Sequence, residues 1–395
     1  MKAPDYRGFF IFRHLNSLIY LDHNATTPVD PRVLETMLPY FTERFGNASS
    51  KTHAYGWIAE EVVKDARKQV AQLIGAEESE VIFTSGATEA INLAIKGVFE
   101  AYATKGNHIV TVQTEHKAVL DVCKALEKKG AAITYLPVNH EGLIDTEELE
   151  KSVTDKTILV CVMLANNETG VQQQVSEIVS IVHGKSSIFM SDATQAVGKI
   201  RTDVNELGID LLCMSAHKFY GPKGVGALYM RRKNPRVSLL AQMHGGGHEK
   251  GLRSGTLNVP GIVGLGKACE IAMKEMWDNG EKLSKLRTFL EQHLLDLGGV
   301  YINGSTRYRM PHVSNLSFTG IKADELISKI PSIAIATGSA CTSAIPEPSH
   351  VLKAMGLKDE MAYGSVRFSL GKSNTMEEMK EVLEKIGAAV KELRA

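Results

Sequence analysis

Lys218 is the residue whose type and position most invite chemistry. It follows an apolar run, Leu211 to Met214, that reads as a short buried strand, and it stands beside His217 ahead of the turn Gly221-Pro-Lys-Gly224. Long cationic side chains normally keep their charge in water. A partly desolvated lysine loses proton affinity, and the neutral amine is the form that attacks an aldehyde. The same stretch fits a surface lysine in a glycine-rich turn, and Lys218 alone does not separate the two.

Other polar residues fall at comparable places. Ser85-Gly-Ala-Thr88 joins a strand to a helix start, where small residues let backbone amides face an anion as in a phosphate site; ordinary capping uses the same residues. Asp192 ends an apolar strand, as a turn former or as the partner of a protonated ring nitrogen. His116 follows a strand directly, as a structural hydrogen-bonding group or as a planar stacking surface. Cys341 lies among small residues, Gly338-Ser-Ala-Cys-Thr-Ser-Ala344, with Pro346 and Pro348 beyond. That context favours exposure and movement over burial in a helix turn. The other four cysteines sit in apolar runs (Cys161, Cys213) or helical patterns (Cys123, Cys269) and read as packing residues.

Alternating elements must position these groups. A short strand at 19–21 leads into the small-residue turn Asp22-His-Asn-Ala-Thr-Thr-Pro28, and helical spacing follows over 31–41 and 57–74. Strands are expected at 81–84, 108–112, 132–136, 157–164, 187–190, 211–215 and 227–230. Helices between them start near Thr88, after His116 and at the N-cap Asp145. This alternation predicts an α/β fold, a mostly parallel central sheet covered by helices. After about residue 261 the pattern becomes a long helical region to about 297. A smaller α+β unit follows, with strands near 313–318, 333–335 and 366–369, and a last helix opened by a Thr375/Glu378 capping box. The expected division is an N-terminal extension at 1–18, a large domain at 19–261 and a small C-terminal domain at 262–395 that carries the Cys341 loop.

Composition excludes several classes. With 395 residues, 44% hydrophobic and 23% charged, the chain can bury a sizeable core. A formal net charge of zero gives no electrostatic reason to expect nucleic acid or an anionic membrane as partner. No apolar run has the length of a membrane span. Five scattered cysteines give neither a disulfide framework nor zinc-type spacing, so no metal is expected and a reducing, cytoplasmic compartment is.

Ligands of open α/β sheets bind outside the carboxyl ends of the strands, where all these groups fall. A phosphate cradle, a carboxylate, a planar stacking group and a lysine together answer to pyridoxal phosphate. From about Ile19 onward the sequence also resembles the cysteine desulfurases, pyridoxal-phosphate enzymes of the class V aminotransferase group with the fold type I architecture. The resemblance is carried by Leu21-Asp-His-Asn-Ala-Thr-Thr-Pro28, Thr84-Ser-Gly-Ala-Thr-Glu89, Thr114-Glu-His-Lys117, Asn166-Asn-Glu168, Asp192-Ala-Thr-Gln195, Ser215-Ala-His-Lys218, Gly245-Gly-Gly-His248, Arg253-Ser-Gly-Thr256, Gly338-Ser-Ala-Cys-Thr-Ser343 and Val366-Arg-Phe-Ser369.

The resemblance implies specific roles. Lys218 would bond the cofactor aldehyde and later shuttle protons. Asp192 would pair with the pyridinium nitrogen and Gln195 with the phenolate oxygen, while His116 would stack on the ring and assist proton transfer. Ala87, Thr88, Ser215 and His217 would hold the phosphate, and Thr256 would reach the phosphate of the other protomer in a homodimer. Asn167 would lie near the cofactor oxygen and the substrate, and Arg367 would clamp the substrate carboxylate. Cys341 would take sulfur from L-cysteine as a persulfide, releasing alanine, and pass it to an acceptor such as an iron–sulfur scaffold protein. This chain has Ala216 where the family often has glycine, and it stops at Ala395 where many members carry a longer tail used in docking. Rival expectations are a selenocysteine lyase that does not need Cys341, an ordinary aminotransferase, and a catalytically silent scaffold.

Overall fold

The computed structural model describes residues 18–337 and 348–395. Its strands in chain order are β1 (Ile19–Tyr20), β2 (Val81–Thr84), β3 (His108–Val112), β4 (Ala132–Leu136), β5 (Thr157–Cys161), β6 (Ile188–Asp192), β7 (Leu211–Ser215), β8 (Gly226–Met230), β9 (Val300–Ile302), β10 (Val313–Phe318), β11 (Ile333–Ala334) and β12 (Ser365–Ser369). The large sheet has seven strands in the order β2-β8-β7-β6-β5-β3-β4. All its neighbours run parallel except β8, which is antiparallel to both β2 and β7. The expected mostly parallel α/β sheet is therefore the observed one. Its inner strands are apolar and buried along their whole length, because helices cover both faces.

After β3 the chain adds β4 on one side and β5 on the other. A crevice opens outside the carboxyl ends where the winding reverses. His116 follows β3 and Asn167 follows β5, so both arrive at this crevice.

Two cores flank the large sheet, and a third lies in the C-terminal unit between a sheet ordered β12-β10-β9 and the last helix, Met376–Arg394. That helix opens on the expected capping box, with Thr375 accepting from Glu378 N and Glu378 accepting from Thr375 N. The 37-residue helix Val259–Leu295 joins the units. Its residues pack in the large core as far as Ala272 and enter the small core at Leu283, so the division expected at 261/262 falls near its start.

Several local expectations need revision. The helix expected at 31–41 is two pieces, Pro31–Met37 and Pro39–Thr42, because proline has no N–H to continue the ladder. Strand β1 and Leu21, expected in the large domain, pack in the small core, since β1 pairs in parallel with β11. Strand β9 gave no signal, being three residues long behind Gly298 and Gly299. The strands expected at 157–164 and 187–190 end at Cys161 and Asp192.

Candidate active site

The carboxyl ends of β2, β3, β5, β6 and β7 border one cleft of about 730 Å³. Nine of the expected residues line it: Ala87, Thr88, His116, Asn167, Asp192, Gln195, Ser215, His217 and Lys218, joined by Arg367 from β12. Sequence separations of up to 280 residues between Ala87 and Arg367 thus collapse into one site.

The phosphate-type turn is built by close backbone approach. Gly86 has φ +154° and precedes the helix Ala87–Ala101, which starts without a side-chain cap. Gly226 of β8 lies directly against it: a Cβ there would come within 2.8 Å of Gly86 Cα and 2.4 Å of Met214 O. The uncapped helix start, the Ser215 hydroxyl and Lys223 all border the same part of the cleft, a donor-rich and positive setting suited to a phosphate. Burial, with help from Lys218 and Lys223, pushes the His217 imidazole down to about 4, so it is neutral at pH 7.

Lys218 sits in a short 3-10 turn, Ala216–Lys218, after β7. The N-terminal turn clasps this segment: His217 O accepts from Thr27 N at 2.9 Å and from Thr27 Oγ1 at 3.0 Å, and Tyr220 N donates to Thr27 Oγ1 at 2.7 Å. The Lys218 amine donates to Asn24 O at 2.6 Å and Ala25 O at 2.9 Å. Burial, reinforced by Arg367, lowers its pKa from 10.5 to about 8, against the opposing pull of Asp192 and Asp22. Of the two alternatives for Lys218, the desolvated amine is the observed one.

Asp192 is buried at the end of β6, and its Oδ1 accepts from Thr194 N at 2.9 Å. His116 N-caps the helix Lys117–Glu127, its Nδ1 accepting from Ala118 N at 3.1 Å. Burial lowers its pKa, with Lys218 and His350 acting in the same sense against Asp192 and Glu168. The planar ring is therefore held neutral beside the cleft. Uncapped amides, a buried carboxylate, a flat ring and a depressed lysine form a donor set that fits pyridoxal phosphate.

Several partners escaped the sequence. Asp22 pairs with Arg367 at 2.5 Å, and Arg367 NH1 donates to Asn167 O at 2.9 Å, while the enclosed Arg367 Nε has no hydrogen-bond partner among the described residues. Glu115 is fully buried, with one oxygen accepting from Met163 N and the other without a partner among the described residues; burial and Asp192 drive its pKa well above the usual carboxylate range. Both residues belong to recognised motifs, but their partners lie tens to hundreds of residues away, beyond any spacing rule.

One expected residue, Thr256, is exposed and lines no part of the cleft. Cys341 lies outside the described residues, although Ala336, five residues before it, lines the cleft. Cys123, Cys161, Cys213 and Cys269 are buried free thiols, as expected of packing residues. Among the described residues no group of side chains is arranged to hold a metal, and no helix is long and apolar enough to cross a membrane.

Comparison with known proteins agrees with this architecture. The family model described as aminotransferase class-V matches residues 19–382. The cysteine desulfurase IscS of Proteus mirabilis is 52% identical over 95% of this chain and 93% of its own length. The IscS of Escherichia coli O139:H28 is 50% identical over the same shares. Among solved structures, a NifS-like protein superposes with a TM-score of 0.89 at 40% identity, covering 95% of this chain and 99% of its own. SspA in complex with cysteine gives a TM-score of 0.80 at 35% identity over 90% of this chain and 100% of that one. By its residues, its sheet and these relatives, the chain belongs to the class-V aminotransferases, within their pyridoxal-phosphate-dependent cysteine desulfurase branch.

Proposed function

We propose that this chain is a pyridoxal-phosphate enzyme that converts L-cysteine to L-alanine and holds the sulfur as a persulfide on Cys341. The observation that carries the proposal is the convergence of Lys218, Asp192 with Gln195, His116 and the Gly86 turn, from four separate chain segments, on one cleft. Bound there, pyridoxal phosphate supplies an electron sink for charge developing at the substrate α carbon. Lys218, with a pKa lowered to about 8, would hold the cofactor aldehyde and would move the substrate α proton. Asp192 would keep the ring nitrogen protonated, His116 would pack on the ring, Gln195 would donate to the phenolate oxygen, and Ala87, Thr88, Ser215 and His217 would hold the phosphate. Asn167 would border the substrate, and the Arg367 guanidinium, which lines the cleft, would hold the substrate carboxylate.

Cys341 then attacks the substrate sulfur as a thiolate. The new S–S bond forms as the C–S bond breaks, and the electron pair left on carbon takes up a proton. Alanine leaves, and an acceptor protein, such as an iron–sulfur scaffold, takes the sulfur. Chain geometry permits the attack, since five extended residues reach about 18 Å and Ala336 already borders the cleft. The working unit is a homodimer in which Thr256 completes the partner's phosphate site. Exposed Phe41, Phe45, Tyr55 and Trp57, large apolar residues clustered near the N-terminus, supply a surface for a second copy. The buried free thiols suit a cytoplasmic setting.

Mass spectrometry of the purified holoenzyme after L-cysteine addition tests the proposal. One added sulfur is expected on the peptide containing Cys341, with alanine released. Cys341→Ala should abolish both; unchanged L-cysteine turnover in that variant would sink the persulfide step and favour a lyase that does not need Cys341.

A further inference from the structure

Behind Gln195, away from the cleft, four side chains close a ring of hydrogen bonds. Lys199 Nζ is 3.0 Å from Gln195 Oε1 and 3.2 Å from His312 Nε2. His312 Nε2 is 2.9 Å from Asn24 Oδ1, and Gln195 Nε2 donates to Asn24 O at 3.0 Å. None of this was visible in the sequence, where His312 and Lys199 stand 113 residues apart.

Proton counting around His312 Nε2 decides the charge states. Asn24 Nδ2 donates to Asn167 O at 3.0 Å, which fixes Oδ1 as the acceptor end of that amide. A nitrogen 2.9 Å from Oδ1 must therefore carry the hydrogen. His312 Nε2–H then has no lone pair for an ammonium, and Lys199 at 3.2 Å fits only as an amine with its own lone pair turned to that hydrogen. The neighbouring charges agree: the amine is enclosed, and Lys218 and Arg367 are cations that further lower its proton affinity. His312 is likewise kept neutral, by full burial first and by the nearby Arg287 and Arg367 cations.

The geometry assigns Lys199 as the positioning residue of Gln195, a neutral amine that grips Gln195 Oε1 from behind and so leaves only the Nε2 end of the amide to face the cofactor. Gln195 Nε2 and Lys218 Nζ point at one carbonyl, Asn24 O, so the amide's donor end lies where the lysine-bound cofactor begins. Without Lys199 only the bond from Nε2 to Asn24 O orients the amide, and its oxygen is left without a donor. The assignment rests on the cofactor chemistry proposed above and extends it to a residue outside the cleft.

The test is a spectroscopic pH titration of purified holoenzymes, reading the visible band of the bound cofactor. A phenolate deprived of its donor keeps more charge and holds the neighbouring imine proton more tightly. Lys199→Met, which keeps the stem and loses the N–H, should raise the pH midpoint of the band by about one unit and weaken cofactor binding about tenfold. The groups facing the cofactor (Asp192, His116, Lys218 and Arg367) are untouched by this change. A residue that merely fills space would leave the midpoint where it is, and an unchanged midpoint overturns the assignment. Should Lys199→Met not fold, His312→Leu removes the other partner of the amine and carries the same expectation and the same refutation. A wild-type protein with no visible band would defeat the cofactor chemistry and the assignment together, whereas a wild-type band with an unmoved variant defeats the assignment alone.

Discussion

The Lys218 amine is bonded to two main-chain carbonyls and to no carboxylate. Its lowered pKa, about 8 against 10.5, means that the unfolded chain binds more protons than the folded one between those values. Stability of the cofactor-free protein therefore rises with pH across that window, and the cost of burying the charged amine is fully present below about pH 8. Lys218→Met should raise cofactor-free stability at pH 7 by about 1–3 kcal/mol while abolishing the visible cofactor band. Thermal melts at pH 7 and pH 10 check the sign: the gain must shrink at the higher pH. By the same titration, the rate at which the cofactor-free protein captures pyridoxal phosphate should climb with pH through about 8 and then level off. The position of Lys218 was legible because a buried strand followed by a lysine is rare. Its pKa was not, because Arg367 and Asp22 reach it only through the tertiary fold.

At the level of elements, the turns that shape the site depend on partners from other parts of the chain. Glu249 and Lys250 hold left-handed backbone, at φ +49° and +60°, in the loop that leads to Arg253 and Thr256. Such residues persist where their surroundings over-determine them. Here the anchor is Glu249, buried, which accepts a two-pronged bond from Arg67 at 2.6 and 2.8 Å and a third from Phe83 N at 2.8 Å. Arg253 extends the anchorage to Glu89, which also accepts from Ser85 N beside the phosphate turn. Arg67→Ala leaves the Glu249 carboxylate without its cation and should cost about 3–5 kcal/mol. Limited proteolysis should then cut first within 244–256, and Lys250→Gly should be neutral or slightly stabilising in the same melts. Strand–helix alternation and the Thr375 capping box were readable locally, since each is written within a few residues. The glycine-rich loop announced a special backbone but not which glutamate would hold it.

Across the whole molecule the cleft belongs to neither core alone. Lys218, Asp192 and His116 hang from the large sheet, whereas Arg367 comes from β12 of the small one. Composition and periodicity separated the two units, yet they did not show that β1 crosses to the small core or that one helix spans both, because pairing and packing at that range leave no local trace. The Asp22–Arg367 ion pair sits beside the small sheet at the cleft, Arg367 NH1 carries it across to Asn167 O of the large unit, and Asn24 N donates to Ser369 Oγ. Arg367 is 6% exposed, so its guanidinium relies on that carboxylate as a counter-charge. Asp22→Asn should destabilise the protein without substrate by about 2–4 kcal/mol, since it strands a buried guanidinium. A ligand carboxylate placed on Arg367 replaces the missing charge, so L-alanine should recover more melting temperature in Asp22→Asn than in the wild type. An equal L-alanine shift in both proteins would mean that the carboxylate does not reach Arg367, and the clamp would have to be sought elsewhere in the cleft.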